Sequence, residues 1–133
     1  MMLPNLFDNL PAPNPHLSPL DVVKIQLDAL QNNDLLPGDA GIRFAFQYTS
    51  PQNRRSLGSL DDFIKLLKHD AFSHIVGFER AELETLYLDR GTARHDVHLF
   101  RKDDIVSFLF LVSRQVTDPF EGFWLTDAVL PKQ

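Results

Sequence analysis

The sequence of 133 residues contains no cysteine. This absence excludes a disulfide framework, a thiolate metal site and a cysteine nucleophile. It also fits a reducing compartment, because disulfides form and persist where conditions are oxidising. We therefore expect a cytoplasmic location, or the plastid stroma if the protein comes from a photosynthetic eukaryote.

Clustered positive charge is also scarce. The net charge is −5, and Arg54-Arg55 is the only adjacent pair of arginines. Because phosphate neutralisation needs grouped lysines and arginines, we do not expect a nucleic acid as the principal ligand.

Long apolar runs are missing as well. The longest, Ile105 to Val112, is interrupted by Ser107, and a transmembrane helix needs about 20 apolar residues. The first residues show no basic region followed by an apolar one, which a secretory signal would require. Membrane insertion is not expected.

The short motifs of several enzyme classes are absent. The chain has no GxSxG nucleophile elbow, no glycine-rich phosphate loop and no HExxH pair. No spacing brings several histidines and carboxylates together as metal ligands. We expect no cofactor and no metal ion.

What the chain does have is a globular composition, with 44 % apolar residues and 11 phenylalanines. We predict one domain over residues 18–133, preceded by an extended arm over residues 1–17 that holds four prolines. The arm either frays or docks on a partner or on its own domain. Docking would use its apolar residues Leu3, Leu6, Phe7 and Leu10.

The pattern predicts three helices. The first follows the N-cap Ser18, with Pro19 and Asp21 in its first turn; the second covers residues 39–48, with Asp39 as cap; the third follows Ser59. The stretch between the second and third helices, which contains Asn53, is predicted as a loop because it combines proline, arginines and glycine.

Four strands follow, over residues 81–88, 92–100, 105–115 and 122–130, with alternating or continuous apolar character. The first two strands are joined by Asp89-Arg90-Gly91, predicted as a hairpin loop with Gly91 in the left-handed region. That loop sets Leu83 opposite Val97 and Tyr87 opposite Ala93.

The third strand is apolar on both faces, which is typical of a strand buried on both sides. One face carries Val106, Phe108, Phe110 and Val112, and the other carries Ile105, Leu109 and Leu111. Because three helices can cover only one face of the sheet, we expect a homodimer through the sheet.

Four stretches together resemble a known family. They are QLDALQNND, TSPQNRRSLGSLDDF, FLFLVSRQ and GFWLTDAVL, within residues 18–130. The family has no established activity, occurs in bacteria, cyanobacteria and chloroplasts, and belongs to the nuclear-transport-factor-two-like superfamily of cystatin-like cones. The resemblance implies an α+β fold, with three N-terminal helices packed on a curved antiparallel sheet of four or more strands. It implies no reaction, because relatives of this fold include isomerases, dehydratases, cyclases, carotenoid-binding domains and adaptors.

In such a cone a pocket lies between the helices and the sheet. Asp127 shares one strand face with Phe123, Leu125 and Val129, where its raised pKa would suit a general base. Alternatively Trp124, Thr126 and Ala128 face inward and Asp127 is solvated. The candidate pocket residues are Phe46, Tyr48, Phe63, His95, Phe110, Trp124 and Asp127.

Other polar residues are candidates for a partner surface. Asn53 is expected to hold its loop together through backbone hydrogen bonds, and Arg54 and Arg55 are expected to project from it. Arg114, at the end of the third strand, is expected to pair with Asp127, Asp118 or Glu121 or to bind an anion. His95 and His98 lie on opposite faces of the second strand, because side chains alternate along a strand.

These observations favour a non-catalytic binding or scaffold protein with an apolar pocket that takes a hydrophobic small molecule or is filled by its own side chains. The alternative is a lyase or isomerase with Asp127 as base and Tyr48 or His95 as its partner. A third reading is an adaptor in a larger assembly, possibly photosynthetic, that uses the arm and Arg54-Arg55 to bind a protein partner.

Overall fold

The computed structural model describes Phe7 and residues 9–132. In this part of the chain four helices precede one antiparallel sheet of four strands, which confirms the α+β class. The helices are α1 (Pro19–Gln31), α2 (Ala40–Phe46), α3 (Pro51–Leu57) and α4 (Leu60–Leu67), and the strands are β1 (Arg80–Leu88), β2 (Thr92–Phe100), β3 (Ile105–Arg114) and β4 (Trp124–Lys132). Short 3₁₀ turns follow α1 at Asn33–Leu35 and α4 at Asp70–Ile75.

Two helices begin with the caps that the sequence predicts. At α1 the Ser18 hydroxyl accepts from the backbone N–H of Asp21 at 3.0 Å, and the Asp21 carboxylate accepts from the N–H of Ser18 at 2.9 Å. Ser59 and Asp62 form the same reciprocal pair at α4. Each pair satisfies two backbone donors that the first helical turn leaves without partners.

The fourth helix, α3, occupies the segment that was predicted as a loop. The Ser50 hydroxyl accepts from the N–H of Asn53 at 3.1 Å, and Pro51 takes the first helical position. Gly58 ends the helix with φ 89°, a left-handed conformation that favours glycine. The loop prediction was wrong because Ser50-Pro51 is itself a helix start and not only the end of α2.

The second helix is shorter than predicted, and its expected cap acts differently. Asp39 has φ 56° and its side chain makes no capping hydrogen bond. Its carboxylate instead lies 2.9 Å from Lys68 Nζ. That hydrogen bond lowers the pKa of Asp39 and ties the start of α2 to the end of α4.

The sheet is a meander in the order β1-β2-β3-β4. Leu83 lies opposite Val97 as predicted, but Tyr87 lies opposite Arg94 because the register shifts between Thr85 and Tyr87.

The prediction of a left-handed backbone conformation at Gly91 is also wrong. Its φ lies outside the positive region, and the turn is closed instead by Asp89. The Asp89 carboxylate accepts from the N–H groups of Gly91 and Thr92 at 2.8 and 2.7 Å.

The helices cover one face of the sheet and bury its apolar side chains. These include Val97, Leu99, Phe108, Phe110 and Val112. On the other face Ile105 is 59 % exposed and Leu130 is 46 % exposed, and Leu109 and Leu111 are half-buried. The helices therefore cover only one face of β3, as expected, and leave its outer face open in the described part of the single chain.

The described part of the N-terminal arm packs on its own domain. Phe7 is buried and stacks on Phe44, with ring centroids 5.8 Å apart. Leu10 and Leu17 pack against a second small core, formed by Val22, Ile25, Tyr48 and Leu125. Leu3 and Leu6 lie outside the described residues.

Candidate functional site

A cavity of about 130 Å³ lies between the helices and the covered face of the sheet. Eleven of its lining residues are apolar: Leu30, Ala45, Leu57, Phe63, Leu66, Leu67, Phe72, Ile75, Phe110, Ala128 and Val129. Leu66 is 37 % exposed and Leu57 is half-buried, so the cavity approaches the surface beside α3 and α4.

The other described lining residues are polar: Gln26, Thr49, Asn53 and Thr126. Gln26 Nε2 donates to the carbonyl oxygen of Ala45 at 3.1 Å, and its Oε1 accepts from the Thr126 hydroxyl at 2.5 Å. The Thr49 hydroxyl donates to the carbonyl oxygen of Phe46 at 2.6 Å. Buried polar groups are costly without such partners, and here they bond mainly to one another and to the backbone.

Backbone hydrogen bonds attach β4 to the segment between α2 and α3. Thr126 N–H donates to the carbonyl oxygen of Tyr48 at 2.8 Å, and the carbonyl oxygen of Thr126 accepts from Ser50 N–H at 2.9 Å. Asn53 Nδ2 donates to the same Thr126 oxygen at 3.1 Å. Asn53 therefore binds backbone as expected, but it joins its segment to β4 rather than closing a loop.

The two neighbouring arginines differ. Arg54 turns inward: its Nε donates to the Thr49 hydroxyl at 2.9 Å and one Nη donates to the Phe46 carbonyl oxygen at 3.0 Å. Its guanidinium also lies 4.7 Å from the centroid of the Phe46 ring. Arg54 does not project from the segment as predicted, whereas Arg55 is exposed.

Tyr48 lies outside the cavity. It is fully buried in the second small core, and its hydroxyl donates to the carbonyl oxygen of Pro11 in the arm. Burial raises the pKa of Tyr48 to about 12. The side chain thus anchors the arm and is not directed at the cavity, contrary to the prediction.

His95 is buried on the covered face of the sheet, opposite Phe110, but it does not line the cavity. Its Nδ1 lies 3.1 Å from the Thr85 hydroxyl. Its Nε2 is buried and has no hydrogen-bond partner among the described residues. Burial lowers the pKa of His95, because the charged imidazolium would lose its hydration.

Asp127 lies in a shallow groove on the outer face, with Leu109, Leu111 and Arg94 among its neighbours. The cause is a bulge between Leu111 and Val112, which leaves Asp127 without a residue directly opposite it. Neither of the two orientations of β4 considered from the sequence was fully correct, because the bulge lets Thr126, Ala128 and Val129 all reach the cavity.

The predicted catalytic set does not converge. Asp127 is on the outer face, His95 is beneath the helices, and Tyr48 is in the second core. A general base must reach its partner and its substrate within hydrogen-bond distance. The structure therefore does not bring these three residues together into one lyase or isomerase site.

The remaining candidates divide between the cavity and its surroundings. Phe63 and Phe110 line the cavity, and Phe46 supports it by packing on Phe63 with ring centroids 5.2 Å apart. Trp124 is half-buried and packs against both cores. Arg114 is exposed, and within the described residues it forms no ion pair with Asp127, Asp118 or Glu121.

The outer face carries a polar cluster that the sequence analysis did not assemble. Asp96 accepts from Lys132 Nζ at 2.5 Å, and His98 Nδ1 lies 2.7 Å from the Ser107 hydroxyl. His98 Nε2 is 3.7 Å from Asp96, which is too far for a hydrogen bond. Glu84 lies opposite Asp96, so the Lys132 ion pair offsets a like-charge contact.

Sequence reasoning also missed Gln26 and Thr49, whereas Thr126 was placed inward in one of the two alternatives for β4. A signal was available for Gln26, because it interrupts an apolar stripe of α1 that includes Val22, Val23, Leu27 and Leu30. A polar residue at a core position of a helix indicates a buried hydrogen-bond partner elsewhere.

Within Phe7 and residues 9–132, no group of three or more His, Cys, Asp or Glu side chains is placed to hold a metal ion. No helix in the same region has both the length and the apolar character needed to cross a membrane.

Comparison with family models, with curated proteins and with solved structures finds no match for this chain.

Proposed function

We propose that the protein is a non-catalytic binding protein that takes a small, mostly apolar molecule into its cavity. The observation that carries the proposal is the cavity lining, in which eleven of the described side chains are apolar and none of the described ones is charged. The volume of about 130 Å³ is close to that of an engineered apolar cavity in another protein, about 150 Å³, which binds benzene. The size therefore suits one aromatic ring.

The arrangement of polar groups supports binding over catalysis. Gln26 and Thr126 form a hydrogen bond with each other, and Gln26 and Thr49 donate to backbone carbonyl oxygens. None of them is an acid or base that titrates near neutral pH. Proton transfer needs such a group within reach of the substrate, so the cavity has the means to hold a molecule but little means to transform it.

The proposed fold family remains the nuclear-transport-factor-two-like cone. The order of helices followed by a four-stranded meander supports it, as does a cavity between the two layers. The lack of cysteine supports the cytoplasm or the plastid stroma as its compartment.

Binding can be tested directly by calorimetry with toluene. The variant Ala128→Leu adds a larger apolar side chain in the cavity wall, and we expect it to weaken toluene binding at least about tenfold. The matched control is Ala71→Leu, which makes the same change at an exposed residue. If toluene fails to bind the folded wild-type chain, or binds both variants equally, the proposal is wrong.

We also propose a scaffold role through a homodimer. The outer face of the sheet supports it, because Leu130 is 46 % exposed opposite the half-buried Leu109, with the half-buried Leu111 next along β3. Ile105 is 59 % exposed at the far end of the strand. Exposed apolar side chains on a sheet face often mark a protein interface. Of the two residue sets considered from the sequence, the one containing Leu109 and Leu111 is the set left available.

A further inference from the structure

The cavity lining also bears on the chemistry of its ligand. We infer that the preferred ligand is an uncharged, single-ring aromatic molecule that donates one hydrogen bond to Asn53 Oδ1. This inference rests on the proposed binding function and deepens it. It names the class of molecule, of which phenol is the simplest example, and the atom that recognises it.

The orientation of the Asn53 amide follows from hydrogen-bond chemistry. The carbonyl oxygen of Thr126 can only accept, so the Asn53 atom at 3.1 Å must be the NH₂ group. The amide oxygen is then the other terminal atom. Within Phe7 and residues 9–132 no donor bonds to Asn53 Oδ1, while the residue lines the cavity.

The other polar atoms of the lining are more fully engaged. The Thr49 hydroxyl donates to Phe46 and accepts from Arg54. The Thr126 hydroxyl donates to Gln26. Asn53 Oδ1 is thus an acceptor with no partner among the described residues, and it is accessible to solvent, since His95 Nε2 is the one buried side-chain atom among them without a hydrogen bond. A ligand that supplies a donor can therefore bond to it in place of water.

The charge of the ligand is restricted by the same residues. Among Phe7 and residues 9–132, no lysine, arginine or histidine lines the cavity. The guanidinium of Arg54 bonds to the lining residue Thr49, but it is also committed to the carbonyl oxygens of Phe46 and Gln47. A carboxylate entering the cavity would lose its hydration without gaining a cation, which is costly. An aromatic acid should therefore be rejected.

The test compares three ligands of similar size, toluene, phenol and benzoate, by calorimetry on the full chain. We expect toluene and phenol to bind and benzoate to bind at least about tenfold more weakly than phenol. In Asn53→Ala the ratio of phenol affinity to toluene affinity should fall by roughly fivefold to tenfold, the worth of one hydrogen bond. Because both ligands meet the same altered cavity, the ratio cancels changes in its shape.

The matched control is Gln52→Ala, which removes an amide from the exposed neighbour of Asn53 on the same helix. It should leave the ratio unchanged. If Asn53→Ala does not fold, anisole replaces the variant, since it keeps the oxygen of phenol but cannot donate. Wild-type protein should then prefer phenol to anisole by a similar factor.

The outcomes separate the two proposals. If neither toluene nor phenol binds the wild-type chain, the proposed function fails, and this inference with it. If toluene binds but the phenol-to-toluene ratio is the same in Asn53→Ala and the wild type, the cavity binds ligands without Asn53 and this inference alone is overturned. Tight binding of benzoate would also overturn it.

Discussion

Asn53 Nδ2 donates a hydrogen bond to the carbonyl oxygen of Thr126, 73 residues further along the chain, at 3.1 Å. Ser50 N–H donates to the same oxygen at 2.9 Å. Together they fasten the start of α3 to the edge strand β4, which forms one wall of the cavity. The segment that looked like a loop is therefore a structural joint.

Because of these hydrogen bonds, we expect substitutions of Asn53 and of Arg55 to lower the stability of the fold by different amounts. Asn53→Ala should lower the free energy of unfolding by roughly 0.5–1.5 kcal/mol, because it removes one of the two donors to the Thr126 carbonyl oxygen and leaves the Ser50 N–H in place. Arg55→Ala, at an exposed position, should cost less than about 0.5 kcal/mol. Urea denaturation of both variants measures the difference, and equal small effects would show that the joint contributes little.

Arg54→Ala provides a second test of the same segment. The side chain donates to Thr49, Phe46 and Gln47 and lies over the Phe46 ring. We expect a loss of about 1–2 kcal/mol, clearly larger than for Arg55→Ala. A loss as small as that of Arg55→Ala would mean that water replaces these contacts without cost.

The attachment of the N-terminal arm to the domain should depend on the Tyr48 hydroxyl. Tyr48→Phe removes the donor to the Pro11 carbonyl oxygen but keeps the buried ring. We expect a loss of about 0.5–1.5 kcal/mol in stability and faster proteolysis within residues 9–17. Tyr87→Phe is the control for the proteolysis readout, because it removes an exposed hydroxyl that bonds to Asp89 in the β1–β2 turn and not to the arm. Unchanged proteolysis in Tyr48→Phe would show that the packing of Phe7 and Leu10 holds the arm without this bond.

The burial of His95 predicts that the stability of the fold depends on pH. Its folded-state pKa lies below the ordinary value of 6.5 because of burial. Below about pH 6.5 the unfolded chain therefore binds a proton at this residue that the folded chain does not bind, and stability falls as the pH falls toward the folded pKa. Above that range the residue is neutral in both states and has no such effect.

The measurement is urea denaturation between pH 7.5 and 5, for the wild type and for His95→Gln. The wild type should lose stability relative to the variant as the pH falls, by at most about 1.4 kcal/mol per pH unit. His16→Gln, at an exposed histidine, serves as the control and should follow the wild type. Parallel curves for the wild type and His95→Gln would contradict the prediction.

The proposed dimer predicts a response to charge on the outer face. Leu111→Glu places a carboxylate in the open apolar surface and should shift the chain toward the monomer in sedimentation equilibrium at micromolar concentration. Leu35→Glu introduces the same charge at a residue that is 66 % exposed elsewhere and should have no effect. A wild-type chain that sediments only as a monomer of about 15 kDa would contradict the dimer.

Local sequence signals determined much of this fold. Ser18 with Asp21 and Ser59 with Asp62 mark two helix starts, because their caps use partners only three residues away. Alternating and apolar runs identify the four strands to within two residues. The pairing of Leu83 with Val97 was also predicted, but the register next to the turn was wrong by one residue, and the shift between Thr85 and Tyr87 restores the predicted pairing.

Only the tertiary structure decided the site. The bulge that places Asp127 outside and Thr126, Ala128 and Val129 at the cavity depends on how β4 pairs with β3. Likewise, Asn53 meets Thr126, and Gln26 meets Thr126 100 residues away, only after α1, α3 and β4 are packed together. Local pattern cannot specify such contacts, because a one-residue change in strand pairing reverses which side chains face the core.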